Sequence, residues 1–240
     1  DVVFHLAGQP GVLYSIKNPN SYLTNNIKAT EVLSKIAKDF LIKKFIFASS
    51  SSVYGDQKKF PISENFKLNP KNPYAKTKLK SEKIIFKTFK NTSTKFIIFR
   101  FFTVYGSFGR PDMFIHKFLT SIKKNKKINI NNNGMNYRDF TYVNDVTKIL
   151  VKSLKKKINN KILNICRSKP ILTNYLIKLL IKNYPSKKKL NIKKIDFVNG
   201  EILKMHGSNK NLKKIFRKIT FTDIQKGIKD TVKSFKIYNA

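Results

Sequence analysis

The sequence contains little cysteine and little histidine, and both shortages limit its chemistry. With Cys166 as its one cysteine, the chain has no internal disulfide framework and no cysteine-based zinc site. The three histidines, His5, His116 and His206, show no metal-ligand spacing among themselves or with carboxylates. The sequence therefore predicts no metal site.

Long apolar runs and acidic residues are also scarce. No run reaches the roughly eighteen apolar residues of a membrane-spanning helix, so the sequence predicts no such helix. Only 13 Asp and Glu accompany 50 Lys and Arg, which gives a formal net charge of +37. A charge of this size is typical of proteins that bind nucleic acid or anionic membranes.

The distribution of the basic residues favours a different explanation. They are spread along the whole chain, and no arginine-rich arm, RNA-binding signature or zinc-finger spacing stands out. A compositional bias towards Lys, Asn and Ile accounts for the charge, so we expect no specific nucleic-acid partner. Nonspecific binding of polyanions is the alternative.

What the chain does contain is an alternation of strand-like and helix-like segments up to about residue 105. Apolar strands are predicted at residues 2–7, 43–50 and 94–102, and helices at 20–40 and 74–89. Continuous apolar strands separated by such helices indicate β-α-β units and a parallel sheet covered on both faces. Further along, the pattern predicts helices at 113–124 and 172–182, a strand at 161–166, and a turn at "NNNG".

The loops that follow the strands are the candidate ligand site, because ligands of parallel α/β sheets bind beyond the carboxyl ends of the strands. These loops are "HLAGQPG", "SSSSVYG" and "TVYGSFGR", each rich in small or hydroxylated residues. The four serines at positions 49–52 offer hydroxyls to a sugar, a carboxylate or a developing oxyanion. An ordinary polar turn is the alternative.

Tyr74 and Lys78 lie four residues apart in the helical stretch "NPYAKTKLKSE", so they project from one face, one turn apart. An ammonium beside a tyrosine favours the phenolate, which otherwise forms only at a pH of about 10. Such a phenolate would take a proton from a substrate alcohol as hydride leaves the same carbon, with Ser50 sharing the proton or positioning the alcohol. The alternative is an ordinary amphipathic helix in a lysine-rich chain.

Six segments, in order, resemble the extended short-chain dehydrogenase/reductase superfamily: "HLAGQPG", "ASSSSVYG", "NPYAKTKLKSE", "FRFFTVYG", "GRPDM" and "RDFTYVNDV". Within it the chain is similar to the UDP-glucuronate 4-epimerase branch of the nucleotide-sugar epimerases, and the similarity extends to a C-terminal "GEILKMHGSNKNLKKIF". The resemblance implies an α/β fold with a Rossmann-type doubly wound parallel sheet, its N-terminal part missing, and a smaller mixed α/β C-terminal substrate domain. Residues 1–106 and 138–168 would form the remainder of the NAD-binding domain, and residues 107–137 and 169–240 the nucleotide-sugar-binding domain.

The resemblance also implies an activity. It is the NAD-dependent 4-epimerisation of a UDP-sugar, and the branch implies conversion of UDP-glucuronate to UDP-galacturonate through a transient 4-keto intermediate. Tyr74 would take the proton of the sugar's 4-hydroxyl while hydride passes to a tightly bound NAD, and the hydride would return to the other face. The family further implies a cytoplasmic enzyme, a homodimer formed through two helices of the cofactor domain, and a role in polysaccharide synthesis.

Residue roles follow from the resemblance in the same way. The implied catalytic residues are Tyr74, Lys78 and Ser50. Tyr74 and Lys78 would also contact NAD, together with Leu6, Ala7, Gly8, Asn26 and Ser49. The implied substrate ligands are Ser51, Ser52, Thr103, Arg110, Arg138 and Glu201. On the residues alone, Arg138 and Asp139 would be a surface ion pair, Arg110 would cap a loop, and Asn26 would be a buried helix residue with a satisfied amide.

Some features depart from the family pattern. No Gly-rich dinucleotide fingerprint occurs, nor the acidic residue that would follow it and bind the adenosine ribose. We therefore expect a truncated sequence that binds NAD poorly or not at all. Gly8, Pro10 and Leu13 replace two alanines and an arginine, and the loss of that arginine weakens the case for a uronate.

Other functions remain open. Epimerases of UDP-glucose and UDP-N-acetylglucosamine share these motifs. A nucleotide-sugar 4,6-dehydratase would need an Asp/Glu pair where Ser51 and Ser52 stand, so epimerisation is preferred to dehydration. A basic protein that binds nucleic acid or another polyanion would show binding that weakens strongly with salt and is indifferent to Tyr74→Phe. An inactive fragment of a gene is a further alternative.

Overall fold

The computed structural model describes residues 1–186, 189–196 and 202–238. These residues belong to two compact units, which are described one at a time. Unit 1 consists of Asp1–Phe102, Ile149–Ile165 and Gly207–Lys218, and unit 2 of Thr103–Lys148, Cys166–His206 and Ile219–Ala240.

The strands of the described residues are β1 (Val2–His5), β2 (Lys44–Ser50), β3 (Lys95–Phe101), β4 (Thr103–Tyr105), β5 (Ile128–Ile130), β6 (Tyr137–Arg138), β7 (Phe140–Tyr142), β8 (Lys161–Ile165), β9 (Ile171–Leu172) and β10 (Ile192–Lys194). The α-helices are α1 (Val12–Lys17), α2 (Pro19–Tyr22), α3 (Ala29–Asp39), α4 (Pro73–Phe89), α5 (Phe114–Lys123), α6 (Val143–Lys155), α7 (Thr173–Asn183), α8 (Lys210–Ile215) and α9 (Ile224–Tyr238). A π-helical segment (Leu23–Lys28) joins α2 to α3.

Unit 1 is built on a four-stranded sheet in the order β1-β2-β3-β8, and every pair of neighbours is parallel. The predicted parallel α/β sheet is therefore confirmed. Strands β2 and β3 are buried almost throughout, as continuous apolar strands covered on both faces should be. One face carries a core formed by Ala37, Phe45, Phe47, Ile85, Phe89, Phe96 and Ile98. The sheet brings the carboxyl ends of β1 and β2 to one edge, where His5 pairs with Phe47.

The helical stretch predicted at residues 20–40 is interrupted by the π-helical segment. A π turn contains one residue more than an α turn and changes which carbonyls are used inside the helix. Here the Asn26 carbonyl accepts the hydroxyls of Thr30 at 2.6 Å and Ser81 at 3.1 Å. Periodicity alone could not reveal the bond from Ser81 to Asn26, because Ser81 belongs to another helix, α4.

Helix α4 begins where the sequence predicts a helix start. The Asn72 side chain accepts a hydrogen bond from the backbone N–H of Ala75 at 2.9 Å, and Pro73 occupies the first turn. An asparagine cap followed by proline satisfies the first amides and presets the backbone angle. Tyr74 is therefore fixed in the first turn of a helix that continues for 17 residues.

Unit 2 contains three two-stranded pairs: β4 with β7 and β5 with β10, both parallel, and β6 with β9, antiparallel. Its core joins one side of α5, α7 and α9 to β4, β5 and β7. The segment "NNNG" turns as predicted, with positive φ at Asn132, Asn133 and Gly134.

The compact units differ from the predicted domain limits at residues 103–106, 138–148, 166–168 and 207–218, and the second and fourth of these differences are the larger ones. Residues 138–148 lie in unit 2, because β7 pairs with β4. Residues 207–218 lie in unit 1, because α8 packs on β8. That residues 107–137 and 169–240 bind a nucleotide sugar remains a prediction about function.

Two kinds of feature are absent from the described residues. No helix there is long and apolar enough to cross a membrane. In the same ranges, no three His, Cys, Asp or Glu side chains are grouped as metal ligands would be.

Candidate active site

Tyr74 and Lys78 occupy the first two turns of α4 and lie in different environments. Tyr74 is half-buried, and its ring packs edge-on against the ring of Tyr22, with centroids 6.2 Å apart. Tyr22 is fully buried, and its hydroxyl lies 2.7 Å and 2.6 Å from the carbonyl oxygens of Pro10 and Gly11. The loop after β1 is thereby fastened next to the tyrosine that the sequence predicts to be the base.

The Lys78 side chain is buried, with 6% of its surface exposed. Its ammonium donates to the backbone oxygen of Ala48 at 2.8 Å and lies 4.8 Å from the centre of the Phe47 ring. Burial lowers the pKa of Lys78 to about 8, and the negative charge of Glu82 acts in the opposite direction. Within the described residues this is the one hydrogen bond of the ammonium, so two of its three N–H donors are left for a ligand.

The serine loop directs its hydroxyls to different partners. Ser50 caps the short 3-10 helix Ser51–Tyr54, and its oxygen accepts the backbone N–H of Ser52 at 3.1 Å, which leaves its hydroxyl proton to be donated. The Ser49 hydroxyl donates instead to the buried carboxylate of Glu82. Side chains alternate along a strand, so neighbouring serines face opposite ways. The predicted NAD contact of Ser49 would therefore have to use its backbone.

The loop after β1 brings exposed backbone next to Lys78. Leu6, Ala7 and Gly8 are all exposed, and Gly8 has a φ of 154°. A Cβ at Gly8 would lie 2.8 Å from Asn26 Oδ1 and 3.5 Å from Lys78 Nζ. Glycine is needed here both for its backbone conformation and for the close approach.

Asn26 holds this loop to α4. Its Oδ1 accepts from the Gln9 backbone N–H at 2.7 Å, and its Nδ2 donates to the Gln9 carbonyl and to Thr77 Oγ1, both at 3.1 Å. The amide is thus satisfied inside the protein, which was the alternative open from the sequence. Its predicted role towards NAD would act through the loop that it positions.

The other predicted substrate ligands belong to unit 2 or lie outside the described residues. Thr103 begins β4, and its N–H donates to the Asp139 carbonyl at 3.2 Å. Arg110 makes two hydrogen bonds to Asp112, at 2.9 Å and 2.6 Å, in an exposed ion pair that lowers the pKa of Asp112. Arg138 donates to the carbonyls of Tyr137 and Leu203 at 3.0 Å and 3.2 Å. Glu201 lies outside the described residues.

Burial decides one alternative for Arg138, namely a surface ion pair with Asp139. Asp139 is completely buried, and its carboxylate accepts the backbone N–H of Ser168 at 3.1 Å. It is therefore not part of a surface ion pair.

A buried polar group beneath the site was missed from the sequence. It consists of Glu82 with Arg100, and of His5 with Thr30, whose side chains are 2.9 Å apart. Two signals were available: Glu82 follows Lys78 by one turn in the quoted "NPYAKTKLKSE", and Arg100 is a charge inside an apolar strand. A charge in such a strand requires a partner.

Comparisons with known proteins identify the family of the chain. Residues 1–166 match the sequence profile of the NAD dependent epimerase/dehydratase family. The UDP-glucuronate 4-epimerase of Thermodesulfobacterium geofontis is 34% identical over 232 residues, covering 96% of this chain and 71% of that protein.

Two solved structures superpose closely. The UDP-glucuronic acid 4-epimerase from Bacillus cereus, in complex with UDP-glucuronic acid and NAD, has a TM-score of 0.92 and 31% identity, covering 99% of this chain and 76% of that one. The UDP-N-acetylglucosamine 4-epimerase from Methanobrevibacter ruminantium M1, in complex with UDP-N-acetylmuramic acid, has a TM-score of 0.92 and 29% identity, covering 99% and 77%.

Proposed function

The chain belongs to the NAD dependent epimerase/dehydratase family, and from this premise we propose that it serves the NAD-dependent 4-epimerisation of a UDP-sugar, with UDP-glucuronate as the substrate. One observation carries the proposal: the buried ammonium of Lys78, with donors to spare, lies one helical turn from the half-buried Tyr74. A general base made from tyrosine needs such a neighbouring cation.

The residues present fit the part of NAD that carries the reactive ring. Two free donors of Lys78 suit the paired hydroxyls of a ribose, and the exposed backbone of Leu6, Ala7 and Gly8 lies beside them without a Cβ in the way at Gly8. When bound, NAD supplies a site that accepts a hydride from the sugar and returns it.

The chain's own residues would handle the proton. Tyr74 takes it from the sugar's 4-hydroxyl as the C4–H bond breaks, and C4 becomes a ketone. Lys78 stabilises the phenolate through its charge. Ser50, whose oxygen accepts a backbone N–H, donates its hydroxyl proton to the same sugar oxygen. After the ketone has presented its other face, Tyr74 returns the proton to the oxygen, and C4 is inverted.

The choice of UDP-glucuronate is supported by the relatives that carry this name. The hydroxyls of Ser51 and Ser52 are candidates for the sugar carboxylate, and Thr103, Arg110 and Arg138 for the rest of the substrate. Arg110 would have to exchange its bond to Asp112 for one to the substrate. The alternative substrates are UDP-N-acetylglucosamine and UDP-glucose, named for the neighbours of Methanobrevibacter ruminantium and Thermotoga maritima.

Product analysis tests the proposal. The gene product that carries this chain, supplied with NAD, should convert UDP-glucuronate and UDP-galacturonate into each other until the same mixture is reached from either side. Tyr74→Phe should abolish conversion while leaving UDP-sugar binding intact, and Tyr238→Phe, at an exposed tyrosine of unit 2, should have no effect. Conversion of only UDP-glucose or UDP-N-acetylglucosamine would replace the substrate. Absence of conversion of any of these sugars by folded, NAD-loaded protein would sink the proposal.

We also propose that the protein forms a homodimer through α3 and α4. Val32 and Ile36 on α3 and Phe86 on α4 expose about half of their surfaces, an arrangement that a partner copy would cover. Light scattering should give twice the chain mass for the wild type and for Val151→Lys, an exposed site on α6, and one chain mass for Ile36→Lys with Phe86→Lys. An unchanged mass for the double variant would contradict the proposal.

A further inference from the structure

A buried ion pair lies directly beneath the proposed catalytic residues. Arg100 donates to Glu82 twice, from Nε to Oε1 at 3.0 Å and from Nη2 to Oε2 at 2.7 Å. Both side chains are almost completely buried, at 2% and 4% exposure. A buried pair of this kind is weak support for stability, because desolvation offsets the attraction, so its presence calls for another reason.

The position of Glu82 suggests that reason. Ser49 on β2 and Arg100 on β3 are paired across the sheet, and the Glu82 carboxylate from α4 contacts both. One turn earlier on the same helix, Lys78 donates to Ala48, the residue before Ser49. Helix α4 is therefore fastened to the end of β2 at two successive residues, which fixes both its rotation and its position along the strand.

The contacts of Lys78 and Glu82 with β2 set the spacing between Tyr74 and Ser50, which matters for the chemistry. Ser50 follows Ser49 directly, and Tyr74 precedes Lys78 by one turn. A shift of α4 along β2 would change the distance from the tyrosine to the serine hydroxyl. Displacements of about 1 Å are enough to cost an enzyme much of its rate.

Arg100 is itself held by further buried groups. Its Nη1 donates to the Tyr54 hydroxyl at 3.0 Å, and Tyr54 donates to Asn164 Oδ1 on β8 at 2.7 Å. Tyr54 and Asn164 are both fully buried. The carboxylate of Glu82 is therefore fixed from behind by two other strands of the sheet.

We propose that Glu82, held by Arg100, is a positioning residue of this site: it fixes α4 on the end of β2 through Ser49, and its negative charge favours the ammonium form of Lys78. The inference rests on the proposed function, since it assigns Glu82 a task for Tyr74 and Lys78. Glu82 does not touch the reacting atoms and acts through its neighbours.

Among the described residues, Glu82 is the carboxylate whose charge acts on Lys78. Ala48 and Phe47 face it from β2, Gly8 from the loop after β1, and the neutral amide of Asn26 lies beyond Gly8. His5 on β1 is also near, and its pKa is lowered to about 4 by burial and by the charge of Lys78, so it is neutral at pH 7. On α4 itself, Tyr74 lies one turn before Lys78, and besides Glu82 the other titratable side chains are the exposed cations Lys76, Lys80, Lys83 and Lys87.

An NMR titration tests the electrostatic part without cofactor, sugar or turnover. Lysine Cε signals report the state of Nζ, and the signal of Lys78 is identified as the one missing from Lys78→Arg. In Glu82→Gln we expect its pKa to fall by about half a pH unit or more, because the negative charge that favours the ammonium form is removed. Glu64→Gln is the matched control, since its carboxylate binds Asn164 and Asn211 of unit 1 instead.

The double variant Glu82→Gln with Arg100→Gln covers the case in which an unpaired guanidinium prevents folding. Circular dichroism checks that Glu82→Gln and the double variant are folded. If the pKa of Lys78 in the folded variant equals its pKa in the wild type and in Glu64→Gln, the electrostatic part of the proposal is wrong.

Kinetics test the geometric part. Ser49→Ala removes the hydrogen bond between Ser49 and Glu82 without changing any charge. We therefore expect kcat to fall about tenfold or more, while KM for the sugar and the pKa of Lys78 stay unchanged. Ser49→Thr retains the hydroxyl and should restore most of kcat. Equal kcat in Ser49→Ala and wild type would overturn this part. If Tyr74→Phe retains activity, the proposed function fails by itself, and the titration of Lys78 still tests the electrostatic effect of Glu82 separately.

Discussion

The side-chain amide of Asn26 donates a hydrogen bond of 3.1 Å to the hydroxyl of Thr77, joining the π-helical segment to α4. The same amide makes two bonds to the backbone of Gln9. One buried side chain therefore sets where the loop after β1 lies against the helix that carries Tyr74 and Lys78.

Asn26→Ala should destabilise the protein by about 1–3 kcal/mol, because it removes the three hydrogen bonds of a buried amide, two of them to the backbone of Gln9. Urea unfolding measures the difference. Asn25→Ala is the matched control, since Asn25 lies in the same π-helical segment but is exposed. Equal midpoints for the two variants would show that the Asn26 amide does not hold the loop.

Gly8→Ala should impair the site more than the fold. The added Cβ would meet Asn26 Oδ1 at 2.8 Å in a backbone conformation with φ of 154°, and strain of this kind costs about 1–3 kcal/mol. We expect the NAD affinity of the gene product that carries this chain, measured by calorimetry, to fall at least about tenfold. Gly109→Ala, where the nearest atom is 3.4 Å away and φ is not positive, should bind NAD normally. Wild-type affinity in Gly8→Ala would place the cofactor elsewhere.

Lys78 should make stability depend on alkaline pH. Burial lowers its pKa from 10.5 to about 8, so above pH 8 the folded protein releases a proton that the unfolded chain keeps until about pH 10.5. Stability from this group is therefore full above pH 10.5 and is lost as the pH falls through 8, by about 3 kcal/mol in all. The free energy of unfolding of the wild type, relative to Lys78→Met, should rise by that amount between pH 7 and pH 11.

Comparison with Lys78→Met cancels the many exposed lysines, which titrate alike in both proteins. A constant difference over this range would mean that Lys78 is not desolvated as its burial indicates.

His5 should make the free energy of unfolding depend on pH in the acidic range. It is buried, it bonds Thr30, and its pKa is lowered from 6.5 to about 4. The unfolded chain takes up a proton below pH 6.5 and the folded protein does not, so this stability is present above pH 6.5 and lost as the pH falls through 4. The loss amounts to about 3 kcal/mol. In His5→Phe, which cannot titrate, unfolding between pH 6.5 and pH 4 should show a correspondingly weaker pH dependence; parallel curves would contradict the assignment.

Much of unit 1 could be predicted from local patterns. The strands at Lys44–Ser50 and Lys95–Phe101 and the helix at Pro73–Phe89 lie within a few residues of their predicted limits. Continuous apolar runs and helical spacing are properties of neighbouring residues, so they can be seen in one sequence. The roles of Arg110, Arg138 and Glu201 are still predictions, because they depend on a substrate.

What the sequence by itself determined is the helix that places Tyr74 and Lys78 one turn apart, together with the parallel sheet whose loops lie beside it. Only the tertiary structure decided the partners of the buried polar groups: Asn26 on Thr77, Ser49 on Glu82, and Glu82 on Arg100. The physical reason is distance along the chain. Periodicity reports on residues one or two turns apart, whereas these partners are separated by 51, 33 and 18 residues and meet only when the sheet has formed.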